Sequence, residues 1–169
     1  YVTGNLGDSY LGLKVLSNKV KFKNKDKLFF VDKYYKPDLP LNLTKYLLKF
    51  ANSSIDVSDG LIDDLSKMIN RQTLSFHLYE KKIPISKKLR NVITNQRLNK
   101  ISLISKGDDY QVLFTAGVNK ARIIQNVSKT TGIKITKIGK IITGNGRSFL
   151  FDEKGKQIQA KYKGYIHRF

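Results

Sequence analysis

Ile55-Asp56-Val57-Ser58-Asp59-Gly60-Leu61-Ile62-Asp63-Asp64-Leu65 sets four aspartates within nine positions of a 169-residue chain that holds only 13 acidic residues and carries a formal charge of +19. An even scatter of acids would leave fewer than one in that window. The stretch also changes period as it runs. Ile55 and Val57 bracket Asp56 as in an extended segment, which points Asp56 and Ser58 to one side. After Gly60, Leu61, Leu65, Met68 and Ile69 fall on one face of a helix expected from about Asp59 to Asn70. Extended chain, glycine turn and helix thus follow one another within a few residues, with the acids at the helix entrance.

Outward from this point, helices and strands alternate without a strict repeat. Upstream, Tyr1-Val2-Thr3 reads as a strand running into the turn Gly4-Asn5-Leu6-Gly7-Asp8-Ser9. A short helix capped by Asp8 or Ser9 follows, with apolar Tyr10, Leu11, Leu13, Val15 and Leu16. A glycine turn feeding a helix N-terminus can hold an anion, and it is equally an ordinary strand-to-helix turn. Asn18 to Asp32 shows no clear period and is expected to be a loop with short ordered flanks. Lys33 to Pro40 reads as an extended turn, and a helix begins at Leu41 and ends at Asn52-Ser53-Ser54.

Downstream, Leu74 to Tyr79 is expected as a strand and Lys87 to Thr94 as a helix with a polar exit through Lys100. Gln111 to Thr115 reads as a strand and Val118 to Lys129 as an amphipathic helix. The tail is β-rich: Ile133 to Ile142 and Ser148 to Phe151, joined by the turn Gly144-Asn145-Gly146, with a last extended piece after Asp152. This order predicts an α+β class, a mixed sheet packed with helices, in one domain over residues 1–169.

Composition excludes several chemistries. With no cysteine there is no disulfide framework, thiolate metal site or thiol nucleophile, as suits a reducing cytoplasmic compartment. No apolar run approaches the roughly 18 residues of a membrane span. The excess of bases is mostly lysine spread along the chain, a solvated surface more than a nucleic-acid patch, since bidentate readout of phosphate or base edges favours arginine. His77 and His167 have no ligand spacing, and His77, between Phe76 and Leu78, reads as structural.

The acidic stretch supports two chemistries. Ser58 or Asp59 can cap the helix, with the acids set against the positive end of its dipole. Alternatively, the Gly60 turn brings Asp59 round beside Asp56 and Ser58, giving an oxygen-only site for a hard cation such as Mg2+ together with a phosphorylated ligand. Spacing alone leaves both open. A second acidic pair stands at Gly107-Asp108-Asp109-Tyr110, where one aspartate can bond its own turn. If that piece is extended, Asp108 and Asp109 face opposite ways.

Taken in order, these stretches resemble the C-terminal half of the thiamine-monophosphate kinase family. Tyr1-Val2-Thr3-Gly4-Asn5-Leu6-Gly7-Asp8-Ser9 is similar to its strand and Gly-x-x-Gly-Asp-Ser turn, and Asp56-Val57-Ser58-Asp59-Gly60-Leu61 to its Asp-x-Ser-Asp-Gly-Leu motif. Gly107-Asp108-Asp109-Tyr110-Gln111-Val112 is similar to its Gly-Glu-Asp-Tyr-Glu-Leu segment, and Gly164-Tyr165-Ile166-His167-Arg168-Phe169 to its ending. The resemblance spans nearly the whole chain. It implies a PurM C-terminal domain-like fold in an ATP-dependent enzyme that phosphorylates thiamine monophosphate to thiamine diphosphate and, at full length, forms a homodimer. It further implies that Asp56 and Asp59 ligate Mg2+, Ser58 contacts ATP, and Asp108 and Tyr165 lie against the thiamine phosphate. Asp108 and Gln111 stand where the family usually carries glutamates. The family's N-terminal half, which supplies most ATP contacts, further metal carboxylates and much of the dimer interface, has no counterpart in this chain, so the chain alone is expected to be inactive. Two other readings compete: another ATP-using member of the same superfamily, such as an aminoimidazole ribonucleotide synthetase or a selenophosphate synthetase, and a basic nucleic-acid-binding module on the same fold.

Overall fold

Residues 1–20, 22, 24–69, 73–144 and 148–159 are described by the computed structural model. In chain order the elements are β1 (Val2–Thr3), α1 (Asp8–Leu16), α2 (Asn24–Tyr35), a 3-10 turn (Leu41–Leu43) leading into α3 (Thr44–Leu47), β2 (Ser53–Asp56), α4 (Leu61–Met68) and β3 (Leu74–Tyr79). They continue with α5 (Lys87–Gln96), α6 (Lys100–Ile104), β4 (Val112–Thr115), α7 (Ala121–Thr131), β5 (Ile135–Thr136), β6 (Gly139–Thr143), β7 (Phe149–Phe151) and β8 (Gln157–Gln159).

The strands form two sheets of four. One has the order β2-β4-β1-β5 with every neighbour antiparallel. The other has the order β6-β3-β7-β8, in which β3 and β7 run parallel while the remaining pairs are antiparallel. The larger core joins them: Val2 and Leu113 from the first sheet meet Phe76, Leu78 and Leu150 from the second, with Leu61 and Leu89 added by α4 and α5. Each such side chain contributes about 1.5–3 kcal/mol by leaving water. A smaller core lies under α7, where Ile124 and Val127 cover Leu43, Phe50 and Phe114, and Tyr1 stacks on Phe114 at 5.3 Å between ring centroids. His77 sits between the rings of Phe149 and Phe151, a structural place as its neighbours suggested.

The class is α+β with a PurM C-terminal domain-like architecture, as expected. Several local expectations change. Asn18 to Asp32 is not mainly loop: α2 occupies Asn24 onward and lies against α1, with Phe30 fully buried while Leu28 is 70% exposed. The polar exit after α5 leads at Lys100 into a further helix, α6, capped by Asn99 Oδ1, which accepts from the Ser102 amide at 2.9 Å. The segment from Leu41 is a 3-10 turn and one helical turn rather than a full helix, and Ser53 and Ser54 belong to β2. Ile133 to Ile142 serves both sheets, β5 pairing with β1 and β6 with β3 around the buried Ile138. Of the turn Gly144-Asn145-Gly146, the last two residues lie outside the described residues, as do Tyr165 and His167. Among the described residues no helix is long and apolar enough to cross a membrane.

Candidate functional site

β2 and β4 pair from Ser53 opposite Thr115 to Asp56 opposite Val112, and the hydrogen bonding continues past the strand ends. The Val57 amide donates to the Gln111 carbonyl at 2.8 Å, the Tyr110 amide to the Val57 carbonyl at 2.9 Å, and the Asp108 amide to the Ser58 carbonyl at 3.0 Å. The loop after β2 (residues 57–60) and the loop before β4 (residues 107–110) are therefore one hydrogen-bonded unit. Glycine permits the approach. Gly107 has φ 77° and Gly60 φ 124°; a Cβ on the first would overlap the Ser58 carbonyl, and on the second the Ser105 carbonyl. Asp108 at φ 61° and Tyr110 at φ 49° also take the left-handed conformation, uncommon for a tyrosine and here held by its bond to Val57.

The first loop is shaped from inside α4. Asp64, 1% exposed, points one carboxylate oxygen back at the loop, where Oδ2 accepts from the amides of Ser58 (3.0 Å), Asp59 (2.9 Å) and Gly60 (3.0 Å). The cap of α4 is thus neither Ser58 nor Asp59. Gly60 takes the N-cap position without a side-chain bond, and Asp64 satisfies the loop amides instead. From sequence, Asp64 reads only as an acid set against the helix dipole. Its place on the same face as Leu61, Leu65 and Met68 was the available signal, because an acid on an apolar face needs partners.

Lys67 completes the cluster. Its ammonium lies 2.9 Å from Asp63 and 3.2 Å from Asp64 and is bonded to Asp59. Carboxylate oxygens of Asp59, Asp63 and Asp64 all fall within 4.8 Å of one another, as ligands of a cation would. Burial tends to lower the Lys67 pKa, but the three carboxylates more than reverse this and hold it above the usual lysine range. Asp56, at the end of β2, is exposed and stands outside this group of three. Asp108, half-buried, has its carboxyl pushed up by burial and then by the neighbouring charge of Asp59, so the two motifs meet electrostatically as well as through their backbones.

Asp109 faces the other way. It is buried, and its Oδ2 accepts from the Gly7 amide at 2.7 Å while Oδ1 lies 3.4 Å from the Ser9 amide. The N-terminus of α1, which from sequence is either a place for an anion or an ordinary turn capped by Asp8 or Ser9, is filled by this carboxylate, with Gly7 as N-cap. Burial raises the Asp109 pKa to about 7, the bond from Gly7 opposes the rise, and the charge of Asp8 adds to it. Asp8 is itself raised to about 6 by burial, against the bond from Ser86 and the charge of Lys33, with Asp38 pushing it further up. Ser86 Oγ donates to Asp8 Oδ1 at 2.7 Å and accepts from the Leu89 amide at 3.0 Å as the cap of α5. The structure therefore brings Ser58, Asp59 and Asp108 onto one loop pair, and the support beneath them comes from the buried Asp64 and Asp109.

No family model matches the chain. Curated relatives do. Thiamine-monophosphate kinase of Buchnera aphidicola subsp. Acyrthosiphon pisum is 33% identical over 168 residues, covering 99% of this chain and 51% of the relative. That of Escherichia coli strain K12 is 30% identical over 169 residues, again 99% against 51%. The chain thus spans about half the length of the curated relatives it matches. Among solved structures, thiamine-monophosphate kinase from Stenotrophomonas maltophilia K279a superposes with a TM-score of 0.77 at 26% identity, over 93% of this chain and 50% of that one. AaThiL complexed with AMPPCP and TMP gives 0.76 at 27% identity, over 98% and 50%. E. coli HypE, at 14% identity and a TM-score of 0.70, shares the fold alone. Over 99% of its length the chain is similar to one half, the C-terminal one, of the thiamine-monophosphate kinases it matches.

Proposed function

We propose that this chain is the C-terminal part of an enzyme that transfers the γ-phosphoryl group of ATP to thiamine monophosphate, giving thiamine diphosphate and ADP. The observation that carries this is the union of residues 57–60 with residues 107–110, because it joins the loop bearing Ser58 and Asp59 to the loop bearing Asp108. A relative of the same fold complexed with AMPPCP and TMP supports this pair of ligands.

The donor set fits a hard cation. Asp59 offers a carboxylate oxygen in a group that already holds a cation, the Lys67 ammonium, and Asp56, outside that group, offers an exposed carboxylate at the end of β2. On this reading Asp56 and Asp59 hold Mg2+, which when bound neutralises charge on the ATP phosphates. Ser58 contacts ATP, while Asp108 and Tyr165 lie against the thiamine phosphate, Tyr165 being outside the described residues. A phosphate oxygen of thiamine monophosphate attacks the γ-phosphorus as its bond to the bridging oxygen breaks, and ADP leaves. No covalent protein intermediate is needed, so the residues act by positioning and by charge. On the same reading the full-length protein is a cytoplasmic homodimer, and the half that this chain does not span would supply the remaining ATP contacts and much of the dimer interface.

The test is a coupled assay of the full-length protein with ATP, Mg2+ and thiamine monophosphate. Asp56→Asn and Asp59→Asn are each expected to lower turnover by about a hundredfold, the equivalent of about 2.7 kcal/mol of charge stabilisation. Full turnover in both variants refutes the metal assignment, and no thiamine diphosphate from the unaltered protein refutes the activity.

A further inference from the structure

Three carboxylates whose oxygens approach within 4.8 Å repel one another unless a cation lies among them. In this protein the cation is a side chain. Lys67 sits on α4 at i+4 from Asp63 and i+3 from Asp64, the spacing that brings helical side chains together, and it reaches Asp59 on the preceding loop as well. Asp64 is fixed, since its other oxygen is taken by three loop amides. The lysine is not fixed in the same way. It is 44% exposed, and its long flexible stem lets the ammonium swing into solvent without disturbing the core.

We propose that Lys67 is a tethered counter-ion of the cation site: its ammonium holds the Asp59 group together before metal binds, and a divalent cation displaces it from Asp59. Lys67 thereby sets the cation concentration at which the site fills. This rests on the reading of Asp59 as a metal ligand given above. A divalent ion entering at Asp59 meets a positive charge a few ångströms away and competes with it for the same oxygen. Removing a unit charge about 5 Å from a divalent ion in a water-like dielectric changes its affinity on the order of tenfold. The lysine is a positioning residue, acting on the metal through Asp59 rather than touching substrate.

The experiment titrates Mn2+ alone into the full-length protein, without nucleotide, and follows free Mn2+ by electron paramagnetic resonance. Lys67→Gln is expected to bind Mn2+ about tenfold more tightly than the unaltered protein, with the gain shrinking as potassium chloride is added. Lys67→Arg keeps the charge and is expected to stay within about twofold. Thermal unfolding of each variant shows that it is folded. A merely structural lysine gives the opposite sign, because a loosened loop binds metal more weakly, so equal or weaker binding by Lys67→Gln overturns the proposal. Asp59→Asn separates the two layers. If Mn2+ binding is lost in Asp59→Asn yet unchanged in Lys67→Gln, the counter-ion role fails and the metal reading stands. If Asp59→Asn binds like the unaltered protein, or no protein binds saturably, both fall.

Discussion

Asp64→Ala tests the support of the loop. The substitution removes one carboxylate oxygen from three amides at 2.9–3.0 Å, among them the acceptor of the buried Gly60 amide. A hydrogen bond to a charged group contributes about 1.5–3 kcal/mol. Three donors sharing one oxygen do not add in full, and the Ser58 and Asp59 amides are only partly buried, so water recovers some of their loss. Counting roughly two bonds gives about 3–6 kcal/mol. In a chain of this size that lowers the thermal midpoint by roughly 10 °C. Asp64→Asn keeps the shape and one acceptor oxygen but loses the charge, and is expected to cost about half as much. Urea denaturation at neutral pH measures both, with an unchanged m-value showing that the native surface is preserved. Hydrogen exchange then locates the effect, since the amides of residues 58–60 are expected to lose protection before the β2–β4 ladder does. A cost below about 1 kcal/mol for Asp64→Ala, together with unchanged exchange at these three amides, would show that the loop holds its shape without Asp64.

Two further outcomes follow from the same geometry. Gly107→Ala puts a Cβ onto the Ser58 carbonyl from a left-handed backbone and is expected to cost about 2–5 kcal/mol, whereas Gly132→Ala, equally left-handed with open space around it, costs only about 1 kcal/mol; equal costs in urea denaturation refute the overlap. Asp109 and Asp8 have folded-state pKa values of about 7 and about 6 against an ordinary 3.8, so the folded protein holds more protons than the unfolded chain between these limits. Their contribution is fully present below about pH 4 and is lost as pH rises through 6 and 7. The thermal midpoint should therefore fall from pH 5 to pH 8, and Asp109→Asn should flatten that fall while keeping an acceptor for Gly7. A midpoint that rises over this range, or the same slope in the variant, contradicts the account.

Much of the architecture was legible because periodicity reports burial. β3 alternates, and the apolar residues of α4 and α7 recur at helical spacing, so these elements lie near their expected places. α2 was not legible, because its helix is fixed by packing on α1 and its apolar residues divide between the buried Phe30 and the exposed Leu28. The division of Ile133 to Ile142 between two sheets was hidden for a similar reason: β1 and β3 choose the partners, not the segment's own pattern. At the site, the acid-rich loops stood out by composition alone. What could not be read was which acid holds the structure. Asp109 is selected by Gly7, 102 residues away in sequence, and Asp64 by amides whose orientation depends on the turn at Gly60.

The bonds that join residues 57–58 to residues 108–111 also fix when the site can exist. Each closes a stretch of some fifty residues, and the bond of Asp109 to Gly7 closes one about twice as long. Such closures lose chain entropy before any contact returns it, so they are stable only once the surrounding sheet is paired. α4 and its loop alone lack the Asp108 half of this arrangement. The arrangement of the two loops is therefore a reporter of the whole fold, and a destabilising change far from Asp59 removes the site by the same cooperative step that unfolds the chain.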